Sequence, residues 1–283
     1  MRFRTQIADV SIFTRVVQSI GKVANKCIIK LTPDKIHLIC LGDQDGTQIW
    51  SQMQVDSLFQ EYRIESNFQN QINLEVSPDT LLKALRSANN AYSVVLRLAK
   101  RNKDPLLSFS ISAQSHTGAK LEVLQDVLIK VLKPAEMSRI IEPLCPEPDV
   151  HIILPKLLHL RTVAEHMRSL SDIVTLSANR QGELRLSVAE DEVKLETTWS
   201  KLAHPNIEAS QSSTAQQTDA SEHRSVTLEM KSFLRFLSSY IVATTTIACI
   251  CANHCAIFYV YIGDVEKSSG VMTFFLPGVV RED

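Results

Sequence analysis

Residues Val131–Ile152 read VLKPAEMSRIIEPLCPEPDVHI, and this stretch decides how the rest of the chain divides. Four prolines fall within it: Pro134, Pro143, Pro146 and Pro148. Each lacks a backbone N–H and biases the residue before it away from helix, so neither a regular helix nor a central strand runs through. The stretch is a connector, over residues 133–149. On its two sides the same order of elements occurs, offset by roughly 145 to 153 residues, which is longer than a solenoid period and fits a duplicated domain. The expected organisation is one domain over 1–132 and a second over 150–283.

Moving back from the connector, VLQDVLIKVL, PLLSFSIS and SVVLRLA read as three strands. Before them Ser77-Pro78-Asp79 starts a helix, with serine at the cap, proline at the first helical position and an acid at the positive end of the dipole. That helix buries Leu81, Leu82, Ala84, Leu85 and Ala88 and leaves Lys83, Arg86, Ser87 and Asn90 outside. INLEV, FQEYRI and QIWSQM are further strands, CIIKL and IHLICL form a hairpin on TPDK, and Asp45-Gly46 marks a turn. At the start FRTQIA alternates as a strand, and Asp9 caps a helix whose apolar side is Ile12, Phe13, Val16, Val17, Ile20 and Val23. Its other side carries Arg15 and Lys22 with no acid.

Moving forward, VHIIL repeats the first strand, and Pro155 opens a helix burying Leu157, Leu160, Val163, Ala164, Met167 and Leu170. Lys156, Arg161, Glu165 and Arg168 lie on its outer side. DIVTLSA, ELRLSVA and DEVKLETTW answer the strands of the first copy. SVTLE and the helix KSFLRFLSSY follow, with Phe233, Leu234, Phe236 and Leu237 inward and Lys231 and Arg235 outward. TTTIACIC, AIFYVYI and VMTFFL complete the set. Only 203–224, AHPNIEASQSSTAQQTDASEHR, breaks the correspondence. It has few residues to bury and is expected to be a flexible insertion. Each copy is therefore an α+β domain, an antiparallel sheet with two helices available for one face.

The 283 residues carry a formal net charge of −1, which argues against indiscriminate attachment to DNA. The charge is sorted, however. Three of the four outward helix faces carry Arg15 with Lys22, Lys83 with Arg86, and Lys231 with Arg235, and the third helix is mixed through Glu165. Acids gather in turns and in the connector, at Asp43, Asp45, Glu142, Glu147, Asp149 and Glu190–Glu192. A basic surface of this kind suits a polyanion read without sequence preference, while solvated helix faces also carry Lys and Arg for their helix propensity.

The six cysteines mostly interrupt apolar alternation, as reduced buried thiols do, and the N-terminus MRFRTQIADV lacks an apolar signal core, so a reducing intracellular compartment is expected. Phe236–Gly263 is free of Asp, Glu, Lys and Arg and long enough for a bilayer, but its Thr, β-branched residues and central Asn253-His254 read as a helix end and two strands. No phosphate-binding glycine loop, HExxH helix or nucleophile elbow occurs. Cys249, Cys251, His254 and Cys255 have the residue types of a zinc site but read better as buried thiols on a strand, and no cofactor or metal is expected. His159, Glu165 and His166 lack a nucleophile. Asp43-Gln44-Asp45-Gly46 begins like a calcium loop without the closing acid. Ser51-Gln52 and Ser210-Gln211 have the form of checkpoint-kinase sites.

The duplicated domain with basic helix faces resembles the sliding DNA clamps. MRFRTQIAD, CIIKLTPDKIHLI, IWSQM, LEVSPDTLLKALRSANNAYSVVLRLAK, PEPDVHIILP and FFLPGV together are similar to the Hus subunit family of the heterotrimeric DNA-damage checkpoint clamp, the nine-one-one complex. The resemblance spans nearly the whole chain and is weakest over 203–224. It implies two tandem clamp domains in a non-enzymatic nuclear protein. It also implies a ring with two paralogous subunits, a clamp loader, double-stranded DNA bound without sequence preference, and docked checkpoint and repair proteins. The helices would then turn Arg15, Lys22, Lys83, Arg86, Lys156, Arg161, Lys231 and Arg235 toward DNA. Edge strands at 123–131 and 192–199 would form the subunit interfaces through Val123, Val127, Ile129, Val131, Val193, Leu195 and Thr197. Met137, Ile140, Ile141 and Leu144 of the connector would receive partners. The alternatives are a homotrimeric replication clamp of the same fold and a hydrolase built on the 249–255 thiols.

Overall fold

The structure is a computed structural model that describes residues 1–42, 46–114, 118–190, 193–205, 219–263 and 269–279. Asp43–Asp45 of the calcium-like turn, Ser210 and the middle of the 203–224 insertion therefore lie outside the described residues. Two compact units divide the chain; the main break falls between Glu142 and Pro143, inside the connector, while Gly270–Met272 group with the first unit and Gly46–Thr47 with the second.

The first unit opens with β1 (Arg2–Ile7) and α1 (Val10–Ile20), then β2 (Cys27–Leu31), β3 (Lys35–Leu41), β4 (Gln48–Gln54), the turn α2 (Val55–Leu58) and β5 (Phe59–Glu65). It continues through β6 (Ile72–Val76), α3 (Pro78–Ser87), β7 (Ser93–Arg101), β8 (Asp104–Gln114), β9 (Lys120–Leu128), β10 (Lys130–Val131) and the turn α4 (Pro134–Met137). Its strands fall into two antiparallel groups, in the orders β5-β1-β7-β8-β9 and β10-β6-β2-β3-β4. As the alternation requires, Phe3, Ile7, Leu96 and Phe109 are buried from the first group and Ile36, Leu38, Ile49 and Leu74 from the second. Asp9 caps α1, its Oδ1 accepting from the Ile12 N–H at 2.8 Å. α1 then turns Phe13, Val16, Val17 and Ile20 inward and packs against α3. Ser77 precedes α3 without a side-chain cap, and the Thr80 hydroxyl donates to the Ser77 carbonyl instead, at 2.9 Å. Asn102 and Lys103, both with positive φ, close the β7–β8 hairpin in two residues.

The second unit runs β11 (Val150–Ile153), α5 (Leu157–Met167), β12 (Ile173–Ala178), β13 (Leu184–Glu190), β14 (Val193–Trp199), β15 (Arg224–Glu229), α6 (Met230–Leu237), a 3-10 turn (Ser238–Ile241), β16 (Thr245–Cys251), β17 (Cys255–Ile262) and β18 (Gly270–Pro277). Its orders are β14-β13-β12-β15 and β18-β17-β16-β11. Phe236 stacks on Phe258 with ring centroids 3.9 Å apart and meets Phe274 edge-on at 5.3 Å, which anchors α6 on the strands beneath it. α5 begins at Leu157, so Pro155 precedes the cap and does not occupy the first helical position. Leu170 lies past the end of α5 and is exposed rather than buried. Among the described residues no helix is long and apolar enough to cross a membrane, and 245–262 is the strand pair β16–β17.

Two expectations about edges and linkers are corrected. The run 123–131 is not one edge strand. β9 pairs with β8, and after Ile129, whose N–H donates to the Pro105 carbonyl, Lys130-Val131 pairs with Glu75 and Leu74 of β6 in the other group. The ends of the 203–224 insertion are also fastened. Ile153 N–H donates to the Ala203 carbonyl, His204 Nδ1 lies 2.7 Å from the His151 carbonyl, and Arg180 N–H donates to the Ala220 carbonyl.

Candidate nucleic-acid interface

In the first unit Arg15 on α1, Lys22 just past its end, and Lys83 and Arg86 on α3 are all exposed. Their placement follows from helical period, because the opposite faces supply the core. Arg86 stands in the last turn of α3 and Asp79 in the first, each where the helix dipole favours its sign. Lys26, beyond the periodic part of α1, is exposed as well and was not expected in this set. The lysine pair flanking Val23 and Ala24 was its one visible signal.

The second unit differs. Lys156, at the cap of α5, and Lys231, in the first turn of α6, are exposed. Arg235 is half-buried and has a partner of its own. Arg161 is committed: its Nε donates to Glu165 Oε1 at 2.8 Å, its Nη1 to the Ser238 hydroxyl at 2.9 Å, and its guanidinium lies 5.5 Å from the centre of the Tyr240 ring. It joins α5 to the turn after α6, so unlike Lys156 and Lys231 its guanidinium already has partners within the fold. Arg168, at the C-cap of α5, is exposed in its place.

The expected interface residues separate by face. β9 and β14 are the last strands in their groups. Val123, together with Leu121, Leu124 and Leu128, is exposed on β9, whereas Val127 and Ile129 are buried and Val131 is half-buried in β10. Period-2 alternation holds only toward the end of the run, where Val127 and Ile129 face the core and Leu128 between them faces out, while 121–124 are exposed on both faces. On β14, Val193 and Leu195 are exposed and Thr197 is half-buried, with Lys194 and Glu196 paired at 3.6 Å.

The connector residues separate too. Met137 and Ile140, like Trp50, pack on the buried cluster of Ile28, Ile39 and Leu132, so they hold the connector to its own unit. Ile141 and Leu144 stand out, 71% and 95% exposed. The Lys133 N–H and the Lys130 ammonium both donate to Glu136, which lowers that carboxyl below its usual range and ties down α4.

Nothing in the thiol region has the makings of a hydrolase. Burial pushes the Cys249 thiol up to about 12 and raises Cys251 and Cys255, the opposite of nucleophile activation. Among the described residues no group of His, Cys, Asp and Glu is arranged to hold a metal ion. His159 and His166 are exposed and Glu165 is occupied by Arg161. Ser51 is buried in β4, where no kinase reaches it.

Two units of antiparallel strands, each with a pair of helices, are the fold of a sliding clamp. Proliferating cell nuclear antigen of Entamoeba histolytica superposes with a TM-score of 0.73 at 15% identity, covering 98% of this chain and 99% of that one. The family is more specific than the fold. The Hus1-like protein family model matches residues 1–280, and the chain belongs to that family. It is similar to checkpoint protein hus1 of Schizosaccharomyces pombe, 38% identical over 99% of this chain and 100% of the relative. It is also similar to checkpoint protein HUS1 of Homo sapiens, 28% identical over 99% and 100%.

Proposed function

We propose that the chain is a non-catalytic subunit of a DNA-encircling checkpoint clamp, a heterotrimeric ring with two paralogous subunits, placed by a clamp loader in the nucleus at damaged double-stranded DNA. The observation that carries this reading in a Hus1-like chain is the exposed basic set of α1 and α3, two helices whose own residues include a single acid, Asp79. Long flexible cations displace condensed counterions from phosphates and read no base edges, so the contact is sequence-independent and lets the ring slide. Free backbone groups along β9 and β14 extend the sheets of neighbouring subunits. The exposed Ile141 and Leu144 give checkpoint and repair proteins an apolar foothold on the connector.

The test is the mass of the purified chain alone and mixed with two paralogous clamp subunits, followed by DNA binding. A trimer of this chain alone would favour a replication-type clamp. A one-to-one-to-one assembly that retains circular DNA and releases it on linearisation is the expected result.

A further inference from the structure

The second unit contains a thiol cluster that clamp function leaves unused. Cys251 and Cys255 are direct partners across the β16–β17 hairpin, and both are buried. The third member, Cys145, belongs to the connector and is partly exposed. The connector is pinned at this point from two sides: the Cys251 thiol donates to the Pro146 carbonyl at 3.4 Å, and Asp149 Oδ2 accepts from the Ala252 N–H at 2.8 Å. Cys145, the neighbour of Pro146, is thereby held beside the Cys251–Cys255 pair, close enough for its thiol to influence that of Cys255.

The three sulfurs are not equivalent. Burial holds Cys251 and Cys255 protonated and away from solvent, so Cys145 is the one a small oxidant meets first. The first unit supplies an internal control, since Cys27 and Cys40 also touch but are both buried.

We propose that Cys145 and Cys255 form a peroxide-sensitive dithiol whose disulfide fastens the connector to the β16–β17 hairpin. The Cys145 thiolate attacks one oxygen of a hydroperoxide, the O–O bond breaks, and Cys145 becomes a sulfenic acid while the other oxygen leaves as water or an alcohol. The Cys255 sulfur then attacks the sulfenic sulfur. The S–S bond forms as the S–O bond breaks, and the hydroxyl departs with the thiol proton as water. Two thiols lose two electrons to one peroxide. The bond fixes the segment carrying Leu144, so peroxide would set how freely that side chain is presented.

The experiment is stoichiometric hydrogen peroxide on the purified full chain near neutral pH, followed by thiol alkylation, non-reducing digestion and mass spectrometry. The expected product is a Cys145–Cys255 cross-link, reversed by dithiothreitol, with Cys27 and Cys40 still alkylated. Cys145→Ser should abolish the thiol loss. Cys255→Ser alters a buried site, so the cross-link map of the unsubstituted chain decides the matter if that variant does not fold. Retention of all six thiols, over-oxidation of Cys145 without a cross-link, or a Cys251–Cys255 bond that persists in Cys145→Ser would each overturn the proposal.

Discussion

The two helix pairs occupy equivalent places in their units and use their cations differently. On α1 and α3, Arg15, Lys22, Lys83 and Arg86 stand in solvent. On α5 and α6, Arg161 is shared among Glu165, Ser238 and Tyr240, and Arg235 is half-buried. The acid at Glu165, four residues after Arg161, is part of the cause, because an i,i+4 pair draws the guanidinium along the helix and away from any other anion. Duplication preserved the fold, while the amount of positive charge available to a polyanion diverged between the copies.

The largest expected effect tests that asymmetry. Replacing Arg15, Lys22, Lys83 and Arg86 with Glu should weaken DNA association by a hundredfold or more, on the order expected when four phosphates go without their cations, for all sequences alike. The slope of binding against salt should flatten by roughly 0.9 for each phosphate no longer neutralised. Reversing Lys156 and Lys231 in the second unit should cost less on both measures. Arg101 is unsuitable as a control because it is ion-paired with Asp126, and its reversal would oppose two acids. Lys100 and Lys103 are exposed and serve instead. Equal losses from the α1–α3 set and from this control, in properly assembled rings, would return the helix faces to ordinary solvated surface.

A second contrast is the insertion, which only the second unit carries. Replacing 203–224 with a Gly/Ser link removes the backbone bonds at Ala203 and Ala220 and the contact of His223 Nε2 with Glu183 at 3.1 Å, and should destabilise by roughly 2 to 3 kcal/mol. Replacing 206–218 alone should shift the melting temperature by no more than about a degree or two, since loop closure entropy varies slowly with length. A matching drop from the shorter replacement would show that those residues pack.

The role of Arg161 can be separated by readout. Arg161→Ala should leave DNA binding within about twofold while destabilising the fold by about 1 to 2 kcal/mol, from one hydrogen bond to Ser238 and a ring contact with Tyr240. Arg161→Lys keeps the charge and loses the fork, so it should behave like Ala in thermal melts. A loss of DNA affinity without a loss of stability would restore Arg161 to the DNA-facing set.

These cases show what was legible in the sequence. The element order, both helix pairs, the cap at Asp9 and the helix start at Pro78 follow from period, polarity and local backbone chemistry, and the structure has them, although Ser77 makes no side-chain cap. What escaped is pairing over distance. The apolar residues of 123–131 carry no turn or breaker signal, yet the strand changes partners at Ile129, because which neighbour accepts a strand is set by the sheet and not by the strand. A proline-rich segment gives no period from which to read a buried side, so the packing of Met137 and Ile140 is not legible in the sequence. Glu165 could be seen beside Arg161, but Ser238 lies 77 residues further on.

The smallest expected effect compares two histidines, one in each unit. Burial lowers His37 on β3, and Lys30 and Lys35 lower it further. Burial also lowers His151 on β11, where Glu147 works in the opposite direction and Arg180 and His204 add smaller downward contributions. In both cases the unfolded chain takes up a proton near pH 6.5 while the folded chain resists it, so ν_U exceeds ν_N and stability rises with pH. The contribution is fully present above about 6.5 and is lost as pH falls through that value toward the depressed folded pKa. His37→Gln should therefore reduce the drop in melting temperature between neutral and mildly acidic solution by on the order of a degree or two, and His151→Gln by less. The difference rests on the sign of the neighbours, since two lysines oppose the imidazolium at His37 and a carboxylate offsets burial at His151. Lys30→Met with Lys35→Met should bring the His37 response down toward that of His151. If the double variant leaves the pH dependence unchanged, burial alone sets His37, and the two units do not differ in how their strands tolerate acid.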